Sequence, residues 1–198
     1  MGSSFSSQKC DVFISFRGED TRDNFTSHLY DALQTKKIST YMDDKLKKGD
    51  EISPVLSKAI KKAKLSVIVF SENYASSSWC LNELAQILEC KKKRGQIVVP
   101  IFYHVDPSDV RKQKGSYTIT SNKFKGGKRK VDEWKVALTK ASNLSGWDSR
   151  SLRPESKLIK EIVGDIKKKL EQLHDGTSAA MIAGAVGANM AVAAASAC

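Results

Sequence analysis

Trp79 and Glu83 lie four residues apart in SSSWCLNELAQIL, a run in which Leu81, Leu84 and Leu88 mark an apolar helical stripe. That spacing sets the indole and the carboxylate on one helix face, about one turn apart and off the stripe. Together they offer a stacking surface beside an anion, an arrangement able to stabilise positive charge developing on a bound molecule. Each residue alone has a plainer reading. An acid in the first turn of a helix ordinarily compensates the helix dipole, and a tryptophan ordinarily fills a core. A second cluster is Arg17-Gly18-Glu19-Asp20-Thr21, where Arg17 can pair with a phosphate; Gly18, and Gly49 further on, permit close backbone approach. Ser71 opens a third polar stretch that runs to Trp79.

Other chemistries find less support. The cysteines, at 10, 80, 90 and 198, form no CxxC pair, and His28, His104 and His174 are scattered, so no metal site assembles from spacing. With no secretory signal ahead of them, the cysteines read as reduced thiols in the cytoplasm. Cys80 reads as a buried structural thiol.

These clusters need elements to position them. DVFISF at 11–16 places Val12, Ile14 and Phe16 on one face and Phe13 on the other, as in a strand covered on both sides. Residues 38–41, 65–70 (LSVIVF) and 97–103 (IVVPIFY) repeat the pattern, and Pro100 predicts a bulge or an irregular stretch in the last. Helical periods fall between the strands: Phe25, Leu29 and Leu33; Ile52, Leu56 and Ile60; then the leucine stripe, with Ser78 as N-cap and Gly95 as stop. Leu158, Ile159, Ile162, Val163, Ile166 and Leu170 form the broadest stripe, after Pro154. The alternation predicts an α/β fold with a parallel sheet and helices on both faces. Ligands of such folds bind beyond the carboxyl ends of the strands, where the residues singled out above fall.

Two regions break the pattern. Residues 115–130 show no apolar period and carry Gly126-Gly127 among basic residues, which predicts a mobile basic loop and the first site of tryptic cleavage. From Gly176 the composition turns to Ala, Gly and Ser, predicting a tail over 174–198 separate from the core.

The formal net charge of +11 is uneven. Residues 1–110 hold 16 basic and 14 acidic side chains, whereas 111–173 hold 17 and 7. The later segment is thus a candidate contact for nucleic acid or anionic lipid, with solvated lysine-rich helix faces as the plainer reading. The start MGSSFS fits the pattern for myristoylation of Gly2, and the uncharged tail is barely of membrane-spanning length. Its Ala and Gly give a weak drive for insertion, so a cytoplasmic protein is expected over a membrane-tethered one.

Several stretches together resemble plant Toll/interleukin receptor (TIR) domains. KCDVFISFRGEDTRDNF (9–25) resembles their opening strand and loop, DDKLKKGDEI (43–52) the loop after the second strand, and SENYASSSWCLNEL (71–84) the motif opening the third helix. IVVPIFYHVDPSDVR (97–111) is similar to their fourth strand and turn, and NLSGW (143–147) to the segment introducing the last strand. The resemblance covers residues 9 to about 172 and sets a domain over 9–173, with 1–8 as an N-terminal tail. It implies a flavodoxin-like open five-stranded parallel sheet, plant immune signalling and, for many members, cleavage of NAD(+) at the nicotinamide–ribose bond. NAD would be a substrate rather than a bound cofactor, since no GxGxxG is present. Carried over residue by residue, the resemblance makes Glu83 catalytic. Arg17, Gly18, Glu19, Asp20, Thr21, Gly49, Ser71 and Trp79 become substrate-binding, and Ser27 and His28 join self-association with other TIR domains. Lys48, where the family usually has arginine, and the loop after Gly115, where it has a helix, depart from the pattern. These departures carry the alternative of a non-catalytic adaptor acting by TIR-to-TIR contact. With no further module in the sequence, a TIR-only protein is expected.

Overall fold

The apolar runs at 12–16, 65–70 and 97–102 become the three central strands of a parallel sheet, β1 (Val12–Phe16), β3 (Leu65–Phe70) and β4 (Ile97–Phe102). Every residue of β1 and β3 is buried, as covering on both faces requires. Short strands β2 (Thr40–Met42) and β5 (Trp147–Asp148) complete the edges in the order β2-β1-β3-β4-β5. The computed structural model describes residues 10–42, 54–124 and 127–194, apart from the side chains of His174 and 176–194. Gly2, residues 43–53 with Lys48, Gly49 and Ile52, Gly126 and Cys198 lie outside the described residues.

The helices in chain order are the single turn α1 (Gly18–Thr21), α2 (Ser27–Thr35), α3 (Pro54–Lys62), α4 (Ser78–Arg94), α5 (Pro107–Lys112), α6 (Gly127–Ser142) and α7 (Glu155–Ala194). Right-handed crossovers in this strand order put α3, α4 and α6 on one face of the sheet and α2 on the other. The main core bears this out, gathering Phe13, Ile68, Phe70, Val98 and Phe102 from the sheet with Leu56, Ile60, Leu81, Leu84, Trp134 and Leu138 from those three helices. The chain divides after Val163. Up to that point it forms the sheet and its helices, and from Gly164 it is the continuation of α7. The backbone of α7 is helical from Glu155 to Ala194.

Pro100 causes no bulge. The register from Leu65↔Ile97 to Phe70↔Phe102 runs without a skip. Ile97 N and Tyr103 N donate to Lys64 O and Phe70 O, so the odd-numbered residues of β4 address β3 and Pro100 faces the other way. On that side β5 begins pairing only at Ile101↔Trp147, so no ladder bond is lost. Gly146 precedes that pair, and a Cβ there would sit 2.2 Å from the Pro100 carbonyl oxygen. The glycine of NLSGW is therefore a packing requirement.

The described residues 115–124 are not the free loop that the basic composition predicts. Tyr117 and Ile119 are buried in the core, and Phe124 packs edge-on to Trp134 with ring centroids 5.1 Å apart. From Gly127 (φ +72°) the chain is already α6, a 16-residue helix whose Val131, Trp134, Leu138 and Ala141 face inward. That apolar period was present in the sequence but masked by the adjacent glycines and lysines. The described residues 115–124 form a single 3-10 turn, Gly115–Tyr117, and no α-helix, so the departure read after Gly115 stands.

Candidate functional site

The strand order reverses between β1 and β3, and the crevice beyond their carboxyl ends is the expected ligand position in such a sheet. Glu83 lies there. Helix α4 enters from Ser77, whose hydroxyl caps it by accepting from Cys80 N at 3.3 Å, one residue earlier than the Ser78 cap expected from the sequence. Gly95 ends it in the left-handed conformation at φ 69°, as expected. The starting point puts Glu83 in the second turn of α4 rather than the first, where the pull of the helix dipole has largely faded. Side-chain partners hold it instead.

Those partners are specific. Trp79 Nε1 donates to Glu83 Oε1 at 2.6 Å, and Ser15 Oγ, from β1, donates to Glu83 Oε2 at 2.6 Å. Ser15 in turn lies 2.9 Å from the Tyr74 hydroxyl, which reaches Cys80 O at 3.1 Å. Burial holds the Tyr74 phenol well above its ordinary range, so it serves as a neutral hydrogen-bonding group. Glu83 itself is only 3% exposed. The i, i+4 spacing thus brings indole and carboxylate into direct contact, while Ser15 and Tyr74, which sequence reasoning missed, extend the network. The available signal was a serine inside an apolar strand covered on both faces.

The other candidates divide. Gly18–Thr21 is a helical turn rather than a loop, and a kink at Asn24 (φ −138°, ψ −106°) separates it from α2. Arg17 pairs with Glu19 and lies 3.7 Å from Asp20. Asp20 ties this turn to the end of β3, accepting from Ser71 Oγ at 2.5 Å, Asn73 N at 2.9 Å and Asn73 Nδ2 at 3.3 Å. Thr21 is buried and bonded to Thr26 across 2.8 Å between hydroxyl oxygens. The Ser71 carbonyl accepts from the Tyr117 hydroxyl at 2.7 Å. Asp20, Thr21 and Ser71 thus spend their polar groups internally, whereas Glu19 stays exposed. Burial and the charge of Glu83 push the Cys80 thiol up to about 12, which makes it unreactive near neutral pH, in keeping with a structural thiol.

Ser27 and His28 lie apart from this crevice, at the start of α2. The Ser27 hydroxyl donates to Asn24 O at 2.8 Å, and exposed His28 places Nδ1 3.8 Å from Glu155 Oε1 at the start of α7. The other Glu155 oxygen accepts from Tyr103 at 2.9 Å. Among the described residues no group of three or more His, Cys, Asp or Glu could hold a metal, and no helix is long and apolar enough to cross a membrane.

Comparison with known proteins agrees with the resemblance read from the motifs. The TIR domain profile matches residues 9–182. The chain is 55% identical over 162 residues to disease resistance protein RPV1 of Vitis rotundifolia and 48% identical over 177 residues to TMV resistance protein N of Nicotiana glutinosa. Those alignments cover 81% and 86% of this chain but only 12% and 16% of the relatives, so the chain spans under a fifth of their length. Among solved structures, the TIR domains of the activated Roq1 resistosome, which recognises the pathogen effector XopQ, share 53% identity. They superpose with a TM-score of 0.71 over 79% of this chain and 99% of that one. The RPS4 and RRS1 TIR heterodimer shares 28% identity at a TM-score of 0.53, over 80% and 96% of the two chains. The flavodoxin-like sheet, the ordered motifs and a family match over most of the sequence lead to one conclusion: the chain belongs to the TIR domain family.

Proposed function

We propose that this chain is a plant immune-signalling TIR domain that cleaves NAD(+) at the nicotinamide–ribose bond when self-associated, by hydrolysis and by ADP-ribosyl cyclisation. The observation that carries the reading is the Glu83 carboxylate at the switch point of the sheet, held in one orientation by Trp79 and Ser15. Nicotinamide in NAD(+) is already a cationic leaving group, so its departure needs no general acid, unlike that of an ordinary glycoside. One fixed carboxylate suffices to bind the ribose hydroxyls and to stabilise the oxocarbenium charge as it develops. Since Glu83 is nearly covered, the ribose hydroxyls engage it by taking the place of one of its present donors. Trp79 supplies the stacking surface.

Self-association through the face carrying Ser27 and His28 fits a domain whose relatives include TIR domains in a resistosome and in a heterodimer. NAD(+) and other TIR domains are therefore the proposed partners, and no resident cofactor is invoked. The test is nicotinamide release by purified protein over a wide concentration range. We expect release whose specific rate rises with concentration. No release at any concentration, with the protein folded, would leave the non-catalytic adaptor in its place.

A further inference from the structure

All strands of the sheet run parallel, so their amino ends form one edge, opposite the crevice that holds Glu83. A row of backbone hydrogen bonds marks that edge: Asp11 N to Ser39 O at 2.8 Å, Lys64 N to Asp11 O at 3.1 Å, and Ile97 N to Lys64 O at 3.1 Å. Three helix ends lead into the row. Lys36 and Lys37 follow α2, Lys61 and Lys62 end α3, and the exposed run 91–94 (KKKR) ends α4. Arg94 Nη1 donates to Lys61 O at 3.2 Å, so the last two ends touch. With Lys64, nine basic side chains gather here. Among the described residues of this edge three acids oppose them: Asp11 and Glu89, paired to Lys64 at 3.0 Å and to Lys93 at 2.6 Å, and the exposed Asp31 in the last turns of α2.

Six acids of the same part of the chain lie at the other end. Glu19, Asp20, Asp23, Glu72, Asp106 and Asp109 all follow the carboxyl ends of β1, β3 and β4. Among the described residues of 1–110 much of the opposite charge is therefore separated in space. Compensation of helix dipoles does not account for this. Each helix end carries about half a negative charge, so three ends call for one or two cations rather than a surplus of six.

We infer that this basic pole docks the protein on an anionic membrane surface. The chemistry favours lipid headgroups over nucleic acid. Eight of the nine basic residues are lysines, compact charges on flexible stems, whereas bidentate phosphate recognition uses arginine. The helices present their C-terminal carbonyl ends here, so no helix N-terminus is available to bind phosphate. Nor do these helix ends offer an exposed aromatic ring on which a base could stack. A diffuse lysine field suits a fluid surface whose charges rearrange to meet it. Docking by this pole leaves the Glu83 crevice and the His28 face turned away from the membrane, and confinement to a surface raises the effective concentration for self-association.

The test is co-sedimentation of the unacylated full chain with vesicles of phosphatidylcholine, with and without about one third phosphatidylserine. We expect binding only to the anionic vesicles, falling steeply between about 0.1 M and about 0.5 M salt. Lys91→Glu/Lys92→Glu/Arg94→Glu should weaken it by about a hundredfold or more, on the order of fivefold for each lost charge. Lys128→Glu/Arg129→Glu/Lys130→Glu, an equal charge change at the start of α6, should weaken it by less than about threefold. Circular dichroism checks folding, and Lys36→Glu/Lys37→Glu serves if the first variant does not fold. Absence of vesicle binding, equal losses in the two triple variants, or binding to duplex DNA tighter than to vesicles would overturn the assignment.

Discussion

The two ends of this one parallel sheet are built on different principles. At the carboxyl ends of the strands, polar side chains satisfy one another over long stretches of sequence: Ser15 with Glu83, Asp20 with Ser71 and Asn73, Tyr117 with the Ser71 carbonyl. At the amino ends, the charged groups are mostly exposed lysines, and among the described residues only two of them are seen paired, Lys64 with Asp11 and Lys93 with Glu89. Buried, fully paired groups fix geometry, and an error in them is costly because the orphaned partner cannot turn to water. Exposed charges of one sign contribute a field and little rigidity. The proposed roles follow that division: orienting a reacting molecule for the crevice, attracting a charged surface for the opposite pole.

Substitutions at the two ends should therefore differ sharply in stability and can break this contrast. The largest effect is expected for Asp20→Ala, which strips acceptors from Ser71 and Asn73 and should cost about 2–3 kcal/mol in chemical denaturation. A cost near zero would mean that the turn after β1 is not clamped to β3. Tyr117→Phe removes a single bond, Tyr117 Oη to Ser71 O, and should cost about 1–2 kcal/mol while leaving the fold intact. It also probes whether 115–124 is anchored, since a free loop would not register the change. Lys92→Ala, at the basic pole, should shift stability by less than about 0.5 kcal/mol. A larger loss there would show the pole to be structural.

Much of this architecture was legible because sheet strands covered on both faces leave an unmistakable apolar run, as in LSVIVF at 65–70. The edges were less so. Ile38 was read as strand, yet it is buried in the turn that closes α2, its N–H bonded to Leu33 O at 3.1 Å, and β2 starts at Thr40. Helix α6 escaped notice because glycine and lysine dominate its approach, although its inward residues keep a helical period. At the site, the Trp79 and Glu83 pair followed from spacing alone, since both stand on one helix. Ser15 did not, because 68 residues separate it from Glu83 and only the fold brings them together. For residues 17–21 the sequence displays polar groups without saying that Asp20 and Thr21 are also bonded within the fold.

Glu83 is where the functional account is most exposed. Its burial means that Glu83→Ala would orphan the Ser15 and Trp79 donors, so the small stability cost expected of a surface helix position does not apply. Glu83→Gln keeps the shape and one acceptor oxygen while removing the charge, and is the cleaner probe. The decisive measurement is nicotinamide release by wild type and Glu83→Gln at the same high protein concentration, with thermal unfolding of both recorded alongside. The account predicts that release falls by about 10²-fold or more in a variant that still unfolds cooperatively. A folded Glu83→Gln protein as active as an active wild type would contradict it.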